Sequence, residues 1–343
     1  LFYMAHSQLA VVWRRDIFIL ILLNALILMR IIGVSDIAGV FFLIFLPGVL
    51  IQRTLVHKVE SLWEQIVHTV ALSVSFVMFA GLIANTLLPV LGISHPLERL
   101  PILLFFDVLL LTLIVVNAIL GRNKELFVGR VPLRNTPKDI FLHLSLFVLP
   151  VFAIAGANVL SNGGTNVITI ATILLVTIFL FYVVSTSRNI NDALVVTGLY
   201  CSSLALLLVT SMRSLHVVGW DVNSELHVFR LTHDSWYWSM AHMQDAYNAC
   251  LSITLLPTIF LAFIHTNDEY IYKFLFQLIF ALMPIVAYYF VGLFTNTRVA
   301  KLAVVMLVGN VVFLQGMPAL IRQEFGFLYF GLILLVLFSR KLS

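Results

Sequence analysis

Of 343 residues, 61% are hydrophobic and only 10% are charged, which leaves too little polar surface to coat a soluble globule and makes a bilayer the solvent of most of the chain. Apolar runs near the ~20 residues that a helix needs to cross a bilayer, without strict alternation, argue against an outer-membrane barrel and predict an all-α polytopic membrane protein. The net charge of +4 fits basic cytoplasmic loops, and without an arginine-rich arm it argues against a nucleic-acid partner.

A first span at about 16–32 follows Arg14 and Arg15. A second at about 36–52 ends in Arg53, with Lys58 beyond it, and the basic flanks place these ends in the cytoplasm. The stretch HKVESLWEQ, 57–65, sets Trp63 among charges and reads as an interfacial anchor. Spans follow at about 66–89 and 101–120, the second holding Asp107, which reads as a paired group more readily than as a proton relay. The linker 121–139 carries Arg122, Lys124, Arg130, Arg134 and Lys138 and belongs inside. Spans at about 140–160 and 165–185 are joined by SNGGTN, whose glycines permit a tight reversal. Residues 1–190 thus form an amino-terminal six-helix membrane module.

Arg188 returns the chain to the cytoplasm, and a span at about 193–212 delivers the one long polar stretch, 213–245, to the outer face. That stretch holds Asp221, Glu225, Asp234 and Asp245, together with His216, His227, His233, His242 and three of the five tryptophans. The next segment, 246–264, is long enough to span but contains Asn248, Ser252 and Pro257. If it spans, Arg298 and Lys301 fall outside and Asp268 and Glu269 inside. If it lies along the outer interface, both signs reverse, as the positive-inside rule requires. With 246–264 as an interfacial helix, spans at about 271–292, 299–317 and 325–338 complete ten, and fourteen Lys and Arg lie inside against six outside, Lys273 and Arg322 among the six. This topology brings MPALIRQE, 317–324, to the same face as the loop 213–245. The chain opens at Leu1 and stops at Ser343 just after an apolar run, which reads as a piece of a longer protein. Cys201 and Cys250 have no CxxC or Cys/His spacing, so neither zinc nor a disulfide framework is expected.

Two places carry chemistry. In GWDVNSE, 219–225, a helical continuation puts Asp221 and Glu225 on one face at i and i+4, where two carboxylates can share a metal or a proton. A carboxylate at a lipid–water boundary also suits proton abstraction from an acceptor hydroxyl or amide. The bland alternative is a solvated charged face. In the second place, Arg322, Gln323 and Glu324 interrupt an apolar stretch, and each charge at membrane depth costs roughly 2.5–3.5 kcal/mol. Arg322 offers a fork of donors matched to phosphate oxygens, and Glu324 a second acid or metal ligand, although the two also suit a simple mutual pair. The histidines lack ligand spacing, and Trp220, Trp236 and Trp238 fit an interfacial belt as well as sugar stacking. Asn248, in DAYN, stands where it would cap the interfacial helix or touch a substrate.

An outward span, a long outer loop with an acid near its start, a membrane-lying helix and an outer acidic motif two spans later resemble the GT-C superfamily of integral-membrane glycosyltransferases. Within it, GWDVNSE, YNACLSITLLP and MPALIRQEFGFLYF look like an uncharacterised, largely archaeal family of multi-spanning membrane proteins. The resemblance covers about 195–343 and implies a truncated GT-C-like core over 191–343. It implies inverting transfer of a sugar from a polyprenyl-phosphate carrier to a glycan, protein or lipid acceptor at the outer face of the cell membrane. Asp221 matches the first-loop catalytic acid, Glu225 sits four residues behind it, Glu324 takes the place of the second outer acid and Arg322 that of the arginine before it. Gln323, Trp220 and Asn248 are the further substrate-binding candidates, and a divalent cation, Mg or Mn, is expected only if Asp221 and Glu324 share it. The competing expectation is a non-enzymatic transporter or a scaffold subunit of a larger assembly.

Overall fold

A computed structural model describes residues 2–55, 61–122, 137–185 and 192–339, with the side chains of 2–12 and 137–139 left out. The linker 123–136 and the basic flanks Lys58, Arg188, Arg340 and Lys341, on which the expected orientation rests, lie outside the described residues. Among the described residues the chain is helical, without a strand. Eight helices are long and apolar enough to cross a membrane. A ninth span arises if Thr297–Val308 and Val312–Ala319, which meet at 52°, count as one. The first expected span falls in the helix Phe2–Leu28 and is not among these eight. This is an integral membrane protein by the length and composition of its helices.

The chain divides into two compact units, each assembled from three separated stretches. The first comprises Leu1–Val59, His68–Val128 and Glu225–Asp268. Its helices approach closely because glycines stand where they cross. A Cβ on Gly48 would sit 1.9 Å from the Thr69 carbonyl oxygen, and the Gly48 N–H donates to Ser73 Oγ at 2.7 Å. Gly39 meets the backbone of Phe263, and Gly81 meets Leu255 and Ile259. Small residues at such crossings let helix backbones touch in the absence of a hydrophobic drive between helices.

Several polar groups inside this unit find protein partners, as a hydrocarbon surround demands. Buried Arg53 pairs with buried Asp16. Thr69 donates to Gln52 at 2.9 Å, and the Asn117 amide donates to the Leu50 carbonyl at 3.0 Å. Asp107 accepts from Asn24 Nδ2 at 2.9 Å and is therefore a paired intramembrane acid.

The segment 246–264 departs from expectation. Only Leu255–Phe263 is α-helical within it, nine residues or about 14 Å at the α-helical rise, too short to cross. Its apolar side chains are packed into the protein. Leu255, Leu256, Ile259, Phe260 and Phe263 are all buried, Phe263 stacks on Phe42 with ring centroids 5.6 Å apart, and Arg99 Nε donates to the Ala262 carbonyl. A helix apolar all round belongs in a core, and its charge-neutral composition leaves it no polar face to show to water.

The second unit comprises Glu60–Val67, Gly129–Ser224 and Glu269–Ser343. Ile140–Ser161 and Val167–Ser185 form the expected hairpin, with Gly163 at φ 76° in the turn and Gly156 packed against Thr169. Asp192–Ser211 is buried on nearly every side, with Gly198 under the Phe179 ring. Two π-helical turns, Ile271–Leu275 and Val312–Gly316, interrupt the later spans, and a 3₁₀ turn, Met317–Ala319, leads into the carboxy-terminal helix Ile321–Phe338. Such turns recur at functional sites because they re-aim the side chains around them.

Replacing Gly48 with Ala should lower thermal stability in detergent by about 1–3 kcal/mol, since the added carbon meets backbone that cannot yield. Gly326→Ala, where nothing lies within 4 Å, should leave the transition unchanged or slightly raised. Equal transitions for the two variants would contradict the Gly48 crossing.

Candidate functional site

The site is built where the carboxy-terminal span begins and the Asp192–Ser211 span ends. After that span the chain runs through 212–219 without helix and enters a second helix, Trp220–Ser235, which carries Asp221 in its first turn. The helical continuation expected over 219–225 therefore extends ten residues further. Gly219 makes the entry, with φ 143°, and an added Cβ there would lie 2.6 Å from the Ala319 Cβ. Glycine is needed on both counts, for the backbone angle and for the contact with the 3₁₀ turn.

Arg322 stands in the first turn of the carboxy-terminal helix, and its Nη2 donates to Asp221 Oδ2 at 3.1 Å across 101 residues of sequence. The two side chains are 27% and 28% exposed, open to a ligand yet shielded on most of their surface. A carboxylate and a guanidinium from the two stretches singled out by composition thus meet in space. Gln323, next to Arg322, is half-buried. Trp220 is 88% exposed beside Asp221, so its indole is available to a lipid or a sugar ring alike.

The two further acids occupy different surroundings. Glu324 is buried in the first turn of the carboxy-terminal helix, where the dipole favours a negative charge. Glu225 is fully buried, one turn after Asp221 on the same helix. Neither is open to a substrate as Asp221 is. Asn248 is buried and committed to its own loop, donating from Nδ2 to the Ser239 and Met243 carbonyls at 2.9 and 2.8 Å, while its carbonyl accepts from Trp238 Nε1. It braces 238–248 and presents no donor to a ligand. Trp238 is anchored further by Asn85 through paired hydrogen bonds, which accounts for its place as packing.

As for a cation, no three His, Cys, Asp or Glu side chains gather into a metal site among the described residues. One oxygen of Asp221 is already engaged by a guanidinium. The two acids named from sequence for a shared cation differ in exposure, Asp221 being partly open and Glu324 buried.

Two site residues escaped the sequence reading, which counted Glu269 and Lys273 only as flanking charges. Both are buried at the head of the Asp268–Gly292 span. Glu269 Oε2 accepts from the Val217 N–H at 2.8 Å and Oε1 lies 3.0 Å from His216 Nδ1. Lys273 Nζ donates to the Ser214 and Leu215 carbonyls and lies 5.1 Å from the Tyr270 ring centre. The legible signal was an acid and a base four residues apart where a polar stretch gives way to an apolar run.

Gly219→Ala should cost about 1–3 kcal/mol through overpacking and backbone strain. Adding Ala319→Gly should recover the part due to the carbon–carbon clash, read as a partial return of the unfolding midpoint. No family model matches this chain, and neither a curated protein nor a solved structure does.

Proposed function

We propose that the chain is a GT-C-like membrane glycosyltransferase with ten spans, moving a sugar from a polyprenyl-phosphate carrier to a glycan, protein or lipid acceptor at the non-cytoplasmic face. The observation that supports this reading best is the Asp221–Arg322 contact of 3.1 Å. It joins an acid suited to proton abstraction and a guanidinium suited to phosphate at one partly shielded point.

In this mechanism the carrier phosphate competes with Asp221 for the Arg322 fork, so donor binding both anchors the phosphate and frees the carboxylate. Asp221 then takes the proton of the acceptor hydroxyl as the acceptor oxygen attacks the anomeric carbon from the face opposite the phosphate. The bond from anomeric carbon to phosphate oxygen breaks, and the phosphate leaves with the electron pair and its negative charge facing Arg322. Configuration inverts. A donor fixed in advance in a water-poor site stabilises such a developing charge more strongly than one in water. Proton transfer and leaving-group stabilisation are assigned here to side chains, Asp221 and Arg322, with Gln323 and Trp220 beside them for the sugar.

Two variants test it. Transfer from radiolabelled polyprenyl-phosphate-linked sugar by Asp221→Asn should fall about 10²–10⁴-fold, the range for loss of a general base. Arg322→Lys, which keeps the charge but loses the fork, should fall about 10²-fold or more. Turnover at the wild-type rate in Asp221→Asn would sink the assignment.

A further inference from the structure

The segment 214–217, which precedes the site helix, lacks a helix or sheet to satisfy its backbone. Its polar groups are met by two buried ionic side chains. The Val217 N–H donates to Glu269, and the Ser214 and Leu215 carbonyls accept from Lys273. Glu269 and Lys273 stand four residues apart, Glu269 in the short helical turn Asp268–Tyr270 and Lys273 in the middle of the π-helical turn Ile271–Leu275. Burying a carboxylate and an ammonium in a span is unfavourable unless both are fully used. Here both are spent on the same short stretch. The chain runs on from that stretch to Gly219, held against Ala319, and two residues later to Asp221, held by Arg322. The 214–221 segment is therefore tied first to the head of one span and then to the start of another.

We infer that Glu269 and Lys273 are positioning residues for Asp221, setting where the entry segment delivers its carboxylate relative to Arg322. The catalytic part of this inference rests on the glycosyltransferase reading, whereas the structural part does not. Neither residue touches the reacting atoms in that reading. Their effect passes through the backbone of 214–217, because peptide groups held at both N–H and C=O leave the segment little room to swing. A misplacement of about 1 Å at a catalytic group costs on the order of 10²-fold in rate, so a clamp at this distance governs turnover without contributing to donor affinity.

The test uses the full chain in lipid nanodiscs, with Glu269→Ala, Glu269→Gln and Lys273→Met. Amide hydrogen exchange over 214–221 should quicken about tenfold or more in Glu269→Ala and Lys273→Met, while protection across the Asp192–Ser211 and Ile321–Phe338 helices stays at the wild-type level. Glu269→Gln keeps an oxygen for the Val217 N–H and should restore most of the protection. With polyprenyl-phosphate-linked sugar as donor, Glu269→Ala should lower kcat by about 10²-fold at nearly constant donor KM, and Glu269→Gln should recover it. Unchanged exchange over 214–221 in Glu269→Ala overturns the inference, as does a loss of protection spread through all the spans, which marks a merely structural role. A fall confined to donor affinity overturns it too. If wild type shows no transfer, the glycosyltransferase reading fails and the exchange experiment alone decides whether Glu269 and Lys273 position the segment.

Discussion

Hydrocarbon offers no hydrogen bonds, and that one property of the solvent governs where this chain can place a polar group. Each intramembrane charge or amide that the sequence carries must find its partner within the protein. Arg53 meets Asp16, Asp107 meets Asn24, and Asn117 meets a carbonyl of Leu50. Glu269 and Lys273 obey the same rule in a different way, since their partners include the peptide groups of a non-helical segment. A stretch of irregular backbone at a span terminus is tolerable when it is lined by such groups, and it is there that the chain can depart from helix and shape a site.

The same solvent accounts for the glycines. Helices in lipid gain little by burying apolar side chains against one another, so close packing and hydrogen bonds must hold them. Gly48 against the Thr69 carbonyl and Gly198 beneath Phe179 allow that approach in separate units of the chain. Gly219 does more, because the contact with Ala319 fixes the point at which the backbone turns into the site helix. From there the first turn presents Asp221 to Arg322. Local backbone freedom, close packing and the ion pair thus act in sequence over three residues.

Several features were legible in the sequence. The near-absence of charge over long runs specified helices in a bilayer, and the runs about 66–89, 101–120, 140–160, 165–185 and 193–212 correspond to helices within a few residues. The rarity of charge also singled out Arg322 and Glu324, because a group that is unfavourable at membrane depth seldom stands there idle, and the one long polar stretch drew attention to Asp221. Length and hydropathy left 246–264 open between spanning and lying along the membrane, and charge chose the second; the structure has a shorter helix than expected there, Leu255–Phe263, and buries it. A linear pattern records how apolar a segment is, and cannot distinguish lipid from protein as the apolar surround.

What the sequence by itself determined is the helical class, the membrane as solvent and the two stretches where polar chemistry concentrates, all of which follow from one-dimensional composition and period. The tertiary structure alone decided that Asp221 and Arg322 lie 3.1 Å apart while Glu225 and Glu324 are buried. It alone decided that Asn248 braces a loop, and that Glu269 and Lys273 clamp the entry to the site helix. These outcomes depend on contacts between residues 5 to 101 positions apart in the chain. Nothing in the local pattern around any one of these residues distinguishes a partly exposed carboxylate paired with a guanidinium from a buried one turned to backbone.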